Sequence, residues 1–155
     1  MGIREAISGF IAHQFIEKPA NKKSVADLAS ELALGSQTID ERAANAGNKE
    51  NAKAVLRHLT GIERWGQRRL RVFLGDKPAS DEYDGYRPSA DLTLEEMRAA
   101  FRSTRAETVK LAERLARSKV APDATVEHNS FGPISLRAWL GYLQTHANWE
   151  SKKMR

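Results

Sequence analysis

His58, His146 and Glu150 are the residues of this chain whose types and spacing can do chemistry. His58 lies three residues after Val55 and four before Ile62, so it shares the apolar face of a helix. His146 lies three after Leu143 and seven after Trp139, which turns it inward too, and Glu150 follows one turn later. Side chains at i and i+4 have Cβ atoms about 5–6 Å apart and can converge on one ion. Two imidazole nitrogens and a carboxylate oxygen are therefore expected in one interior, supplied by two helices. Polar atoms there cost free energy unless they are partnered. A divalent ion would partner all three at once, using neutral imidazole and ionised carboxylate, both available at pH 7. Three protein ligands leave a position for water or substrate, the pattern of a catalytic site. The donor set suits zinc, nickel or ferrous iron. The same spacing also fits a hydrogen-bonded core histidine, with Glu150 paired to a lysine or arginine.

Five helical patterns must position these groups, and no convincing strand is read. The first covers residues 2–16, with Ile3, Ile7, Phe10 and Ile11 in a stripe and Phe15 at its end; Pro19 is expected to break it. The second runs from Ser24, a good N-cap, to about Gly47, with Val25, Leu28, Leu32, Ile39, Ala43 and Ala46 inward. Gly35 falls on that stripe and reads as a close-packing position within one long helix. The third covers about 50–74, with Val55, His58, Leu59, Ile62, Trp65 and Phe73 inward and Gly75 as its stop. Thr93 and Glu96 form a capping box for the fourth, which carries Leu94, Met97, Phe101, Thr104, Thr108, Leu111 and Leu115. The last is capped by Ser135 and carries Trp139, Leu143, His146 and Glu150.

The expected architecture is all-α: one domain over 1–155, a four-helix bundle over about 24–154, plus the extra N-terminal helix. The two later connections, 75–92 and "ARSKVAPDATVEHNSFGPI", are long. At about 3.3 Å per extended residue each reaches some 60 Å, whereas a 25-residue helix is only about 37 Å long. Either can cross the bundle from end to end, so a simple up-and-down order is not forced.

Composition narrows the function classes. Hydrophobic content is 41% and charged content 29%, which is a globular balance. Cysteine is absent, which excludes disulfides, thiolate ligands and a cysteine nucleophile and suits a reducing cytoplasm. No apolar run approaches the roughly 20 residues of a membrane span. No Ser-His-Asp motif, phosphate-binding glycine loop, dinucleotide fingerprint or EF-hand spacing is present. Arg64, Arg68, Arg69 and Arg71 in "RWGQRRLR" form a basic cluster of the kind phosphates attract, but no nucleic-acid-binding motif accompanies it, so nucleic acid is not the expected partner.

"NAKAVLRHLTGIERWGQRRLRVFLG" resembles the second helix of the DinB/YfiT-like metalloenzyme superfamily, in its His58-Leu59, Glu63, Trp65 and Leu70. "SFGPISLRAWLGYLQTHANWESKKM" is similar to that family's last helix, which follows a small glycine-containing turn. The resemblance covers roughly residues 24–154 and leaves the N-terminal helix outside. It implies a crossed-over four-helix bundle, often dimeric, holding a divalent metal with three histidines. His58 matches the first and His146 the second; this chain has Glu150 where the third would stand. That departure leaves two outcomes open, a two-histidine, one-carboxylate site or a site that has decayed. Neither His13 nor His128 has a clear claim on the missing place, though His128 sits in a loop able to fold over a bundle end.

The functional expectation is a metal-dependent enzyme of hydrolase or thiol-dependent transferase type, acting on a small molecule, with a low-molecular-weight thiol in the transferase case, in a cytoplasmic homodimer. Its catalytic residues are not assigned. Glu63 reads first as a surface carboxylate paired with Arg64 or Arg68, and second as an acid–base helper. Tyr83 and Tyr86 read as packing or as the lining of a pocket entrance, and Trp149 as packing or interface. The competing expectation is a non-catalytic dimeric bundle that has lost its metal site.

Overall fold

The computed structural model describes Ile3 and residues 9–155. Ile7, part of the expected N-terminal stripe, lies outside the described residues. From Gly9 the chain is helical, with a π-helical stretch Ala12–Glu17 leading into the turn Lys18–Ala20. Pro19 therefore does not break this helix, contrary to expectation. The Lys18 N–H reaches back to the His13 carbonyl, a wide turn, and Pro19 then opens a new α-turn where its missing N–H has no partner to lose. The real break comes at residues 21–24.

Four helices follow. Helix α1 is Val25–Ala44, opened by a reciprocal capping box between Ser24 and Asp27. Helix α2 is Lys49–Phe73, capped by Asn48, and Gly75 ends the run at φ +108°. Helix α3 is Leu94–Ala116, opened by the Thr93–Glu96 capping box. Helix α4 is Leu136–Ser151, where the Ser135 hydroxyl accepts from the Ala138 N–H. The bundle is mostly helical, as read from the sequence. Gly35 lies inside one unbroken α1, and a Cβ there would collide with the Gln144 side chain of α4.

The absence of strands was a wrong expectation. Thr125–His128 (β1) and Gly132–Ser135 (β2) form an antiparallel hairpin, with Thr125 opposite Ser135 and His128 opposite Gly132. Four residues per strand, one of them Pro133, give too little alternation to read. The hairpin is held instead by burying Ile134 and His128 against the bundle.

Contacts between helices fix the topology. α1 runs antiparallel to α3, as Asp40 meets Arg98 and Arg102 while the earlier Leu32 carbonyl meets the later Arg105. α2 runs parallel to α3, with Glu63 on Arg105 and the later Gln67 on Thr108. α2 runs antiparallel to α4, with Trp65 on Trp139 and His58 on His146. Sequence neighbours α1 and α2 are diagonal, and each packs mainly against α3 and α4. Two parallel helices in succession require a crossover, and the 75–92 segment makes it. The later connection does not cross; it folds into the hairpin and covers one end.

Two contiguous apolar clusters fill the interior. One joins Leu28, Leu32, Trp65, Leu70, Trp139 and Leu143, and the other joins Ile39, Leu56, Leu59, Met97, Phe101 and Ala147. The N-terminal segment is pinned to this body by Glu17, whose carboxylate accepts from the Ser135 N–H and hydroxyl at 2.7 Å each.

Candidate metal centre

The seam between α2 and α4 is built on a repeated seven-residue spacing. Trp65 is seven residues after His58, and Trp139 is seven before His146. Seven residues make two helical turns, so each Trp shares a face with its His. Because the helices run antiparallel, the two indoles pair at 5.3 Å between centroids and the two imidazoles at 5.2 Å. Gly66 lets the rods approach; a Cβ there would meet the Leu143 methyl at 2.6 Å.

The crossover supplies the outer wall. From Lys77 to Pro88 it retraces α2 backwards, stitched by the arginines of the basic cluster. Arg68 donates to the Lys77 carbonyl at 2.6 Å, and buried Arg69 holds the Asp81 carboxylate and carbonyl at 2.7 Å each. The Trp65 indole also donates to the Asp81 carbonyl, at 2.8 Å, and Arg64 reaches the Tyr86 carbonyl at 3.3 Å. Arg57 donates to the Pro88 carbonyl at 2.8 Å. Three of the four clustered arginines thus hold a loop; only Arg71 stands exposed. Their work places the Tyr83 ring edge-on to His58 at 5.4 Å.

His58 and His146 face each other with their Nε2 atoms 3.4 Å apart. That is long for a hydrogen bond between ring nitrogens. It equals the spacing of two nitrogens on one tetrahedral ion, since bonds of about 2.0–2.1 Å at a tetrahedral angle put them about 3.3–3.4 Å apart. Burial holds both imidazoles below the ordinary histidine range, His146 at about 4, and the neighbouring His58 adds to the shift of His146. Neutral rings with unshared lone pairs are what a cation requires. Buried His146 Nδ1 has no hydrogen-bond partner. The pair therefore fits a divalent ion by spacing and by charge state, and lacks the outer partner that usually orients a ligating imidazole.

Glu150 is not on the pair. Its carboxylate accepts from Lys153 Nζ at 2.8 and 2.9 Å, and that contact holds it below the usual carboxylate range. It is ionised and one turn from His146, and both imidazoles feel its charge. No three His, Asp or Glu side chains converge as a metal cluster among the described residues. His13 is exposed near the start of the chain.

His128 has a different role. Its Nδ1 accepts from the N–H groups of Ser130 and Phe131 at 3.1 and 3.3 Å, shaping the hairpin turn. Its ring stacks on Phe131 and meets Trp65, Trp139 and Tyr142 at centroid distances of 4.8–5.1 Å. Burial pushes it down to about 4.

Glu63 departs from its expected surface position. It is buried, and Arg105 of α3 donates to its Oε1 at 2.6 Å while the Thr108 hydroxyl donates to its Oε2 at 2.6 Å. Arg105 also donates to the Leu32 carbonyl and to Gln144, joining all four helices. Glu63 follows Ile62 and lies four after Leu59, and Arg105 lies four after Phe101, so both sit on buried faces. That spacing is the sequence signal for a buried pair, and at Arg105 it is masked by Thr104 and Thr108 on the same helix.

Two hollows flank the histidines. On the His146 side, an apolar groove of about 460 Å³ runs between the N-terminal segment and α4, past Phe15, Ile16, Tyr142 and exposed Trp149. On the His58 side lies a smaller cleft of about 370 Å³, lined by Lys53, Arg57 and Arg87.

Residues 17–148 match the family model of the DinB superfamily. The chain belongs to the DinB superfamily. The match takes in His58 and His146 and ends two residues before Glu150. No curated protein and no solved structure matches the chain. The match takes in all four bundle helices as far as residue 148 of α4. Among the described residues of this DinB-superfamily chain, no helix is long and apolar enough to cross a membrane.

Proposed function

We propose that this protein is a metal-dependent enzyme whose divalent ion is held by His58 Nε2 and His146 Nε2, with Glu150 as the third ligand once it leaves Lys153. The observation that carries this reading is the 3.4 Å meeting of two neutral, half-buried ring nitrogens from different helices. When bound, the ion supplies Lewis acidity, which makes a water or thiol nucleophilic near neutral pH. That chemistry suits hydrolysis or thiol-dependent transfer of a small molecule. The chain's own residues do the rest. The α2–α4 seam fixes the two imidazoles, and the crossover presses Tyr83 against His58. Burial pushes the Tyr142 phenol up to about 12, so beside His146 it stays protonated and able to donate. The apolar groove excludes water from the His146 side and accepts an apolar part of the substrate.

Zinc titration by calorimetry tests the ligands. Wild type is expected to bind one equivalent, and His58→Ala and His146→Ala none at the same concentration. Equal binding by all three proteins would defeat the assignment.

A second reading has its own observation. Glu150 is occupied by Lys153, and Ile11, Phe15 and Trp149 form an exposed apolar surface. A bundle without metal that pairs through this surface would show a concentration-dependent dimer lost in Trp149→Glu, and no zinc binding.

A further inference from the structure

The cleft beside His58 carries more positive charge than its neighbours cancel. Three cations line it, Lys53 and Arg57 from α2 and Arg87 from the crossover, against one carboxylate, Glu50 of α2. Arg57 uses Nε on the Pro88 carbonyl and has no carboxylate partner among the described residues. Lys53, with a side chain only 20% exposed, has Glu50 at 3.5 Å, and that carboxylate is 84% exposed. Arg87 meets Asp84 at 2.9 Å through Nη2, lies over the Tyr83 ring and leaves a buried Nε without partner. Guanidinium groups with free donors beside a concave wall recognise planar oxyanions bidentately. Arg87 and Glu150 are both near enough for the His58 ring to feel their charge.

We propose that this cleft binds the anionic group, a carboxylate or a phosphate, of the small-molecule substrate, gripped by Arg57, Arg87 and Lys53 with His58 in its wall. The inference rests on the His58–His146 seam being the reacting centre, but the anion contact itself needs no metal. The cleft reaches His58, whereas the apolar groove reaches His146. The preferred substrate is then a small acid whose charged end and apolar end straddle the imidazole pair.

The test uses chelator-treated full-length protein and two probes, inorganic phosphate and benzoate, followed by the ring resonances of His58 and His128. A saturable shift of His58 with either probe, leaving His128 still, is expected; tighter phosphate binding assigns a phosphoryl end and tighter benzoate binding a carboxylate. Arg57→Gln and Arg87→Gln should each weaken binding at least tenfold while zinc affinity stays within twofold of wild type. If either fails to fold by thermal melting, Lys53→Gln, at the rim, carries the test with a several-fold loss. No saturable shift with either probe, or unchanged affinity in the variants, overturns the proposal. Anion binding without zinc binding would remove the metal reading and leave this one standing; zinc binding without anion binding would do the reverse.

Discussion

Two polar clusters sit on α2 little more than one turn apart, and they are satisfied differently. Around Glu63, both carboxylate oxygens and both terminal nitrogens of Arg105 are engaged, and only the Arg105 Nε is left over. Around His58, two ring nitrogens face each other across 3.4 Å and the His146 Nδ1 has no partner. The first cluster has one good arrangement and ties four helices together. The second holds its groups in place and leaves polar atoms without partners, which is the difference on which the proposed ligand site rests.

Removing one partner from the satisfied cluster should have the largest effect. Glu63→Ala leaves a buried guanidinium unpaired and should cost about 3–5 kcal/mol of stability in urea unfolding. Replacing both partners, Glu63→Leu with Arg105→Met, should recover much of that loss, because the desolvation cost of the pair disappears as well. A double variant as unstable as the single would mean the cluster does more than hold the helices.

Acid should act on the histidines next. His128 is neutral when folded, held at about 4, and titrates near 6.5 when unfolded. Its contribution is complete above pH 6.5 and is lost as the pH falls to 4, by up to about 3 kcal/mol, with no further change below. His146 adds a loss of the same sign over the same range. Urea unfolding of metal-free protein at pH 7.5 and 4.5 measures the sum, and His128→Phe should flatten the dependence. An unchanged slope in that variant would show that the ring is not neutral in the fold.

Metal affinity probes the incomplete cluster directly. Losing an outer partner of a metal ligand costs about 10–100-fold, so losing His58 itself should cost at least about 100-fold, or about 2.7 kcal/mol. The smallest effect belongs to Lys153→Ala. Its pair with Glu150 is partly exposed, so stability should change by less than about 1 kcal/mol. Zinc affinity should rise a few-fold as the carboxylate is released; an unchanged affinity would mean Glu150 reaches no ion.

Much of this was readable from residue order. The four bundle helices follow from apolar spacing and two capping boxes, and the inward faces of His58 and His146 follow from their neighbours on the same turns. Their meeting depends on topology, since spacing says which face a residue occupies but not which helix lies opposite. The hairpin and the passage through Pro19 were not legible. The first depends on burying Ile134 and His128 in a cavity the bundle makes, and the second on a wide helical turn with no sequence mark. The clustered arginines looked like a free basic surface because the loop carbonyls they bind leave no trace in composition. Glu150 shows the limit most plainly: its place on the helix was foreseen, but whether its carboxylate turns to the imidazoles or to Lys153 is a choice between rotamers.

Gly66 has a consequence beyond packing. A methyl group there would have to displace Leu143, which is fully enclosed, so the two helices would have to spread. Helices are stiff, and a gap opened beside the tryptophans is carried two turns along to the imidazoles. Gly66 thus sets the distance between the two imidazoles from a position that touches neither, and on the proposed reading that distance decides which ionic radius would fit between them.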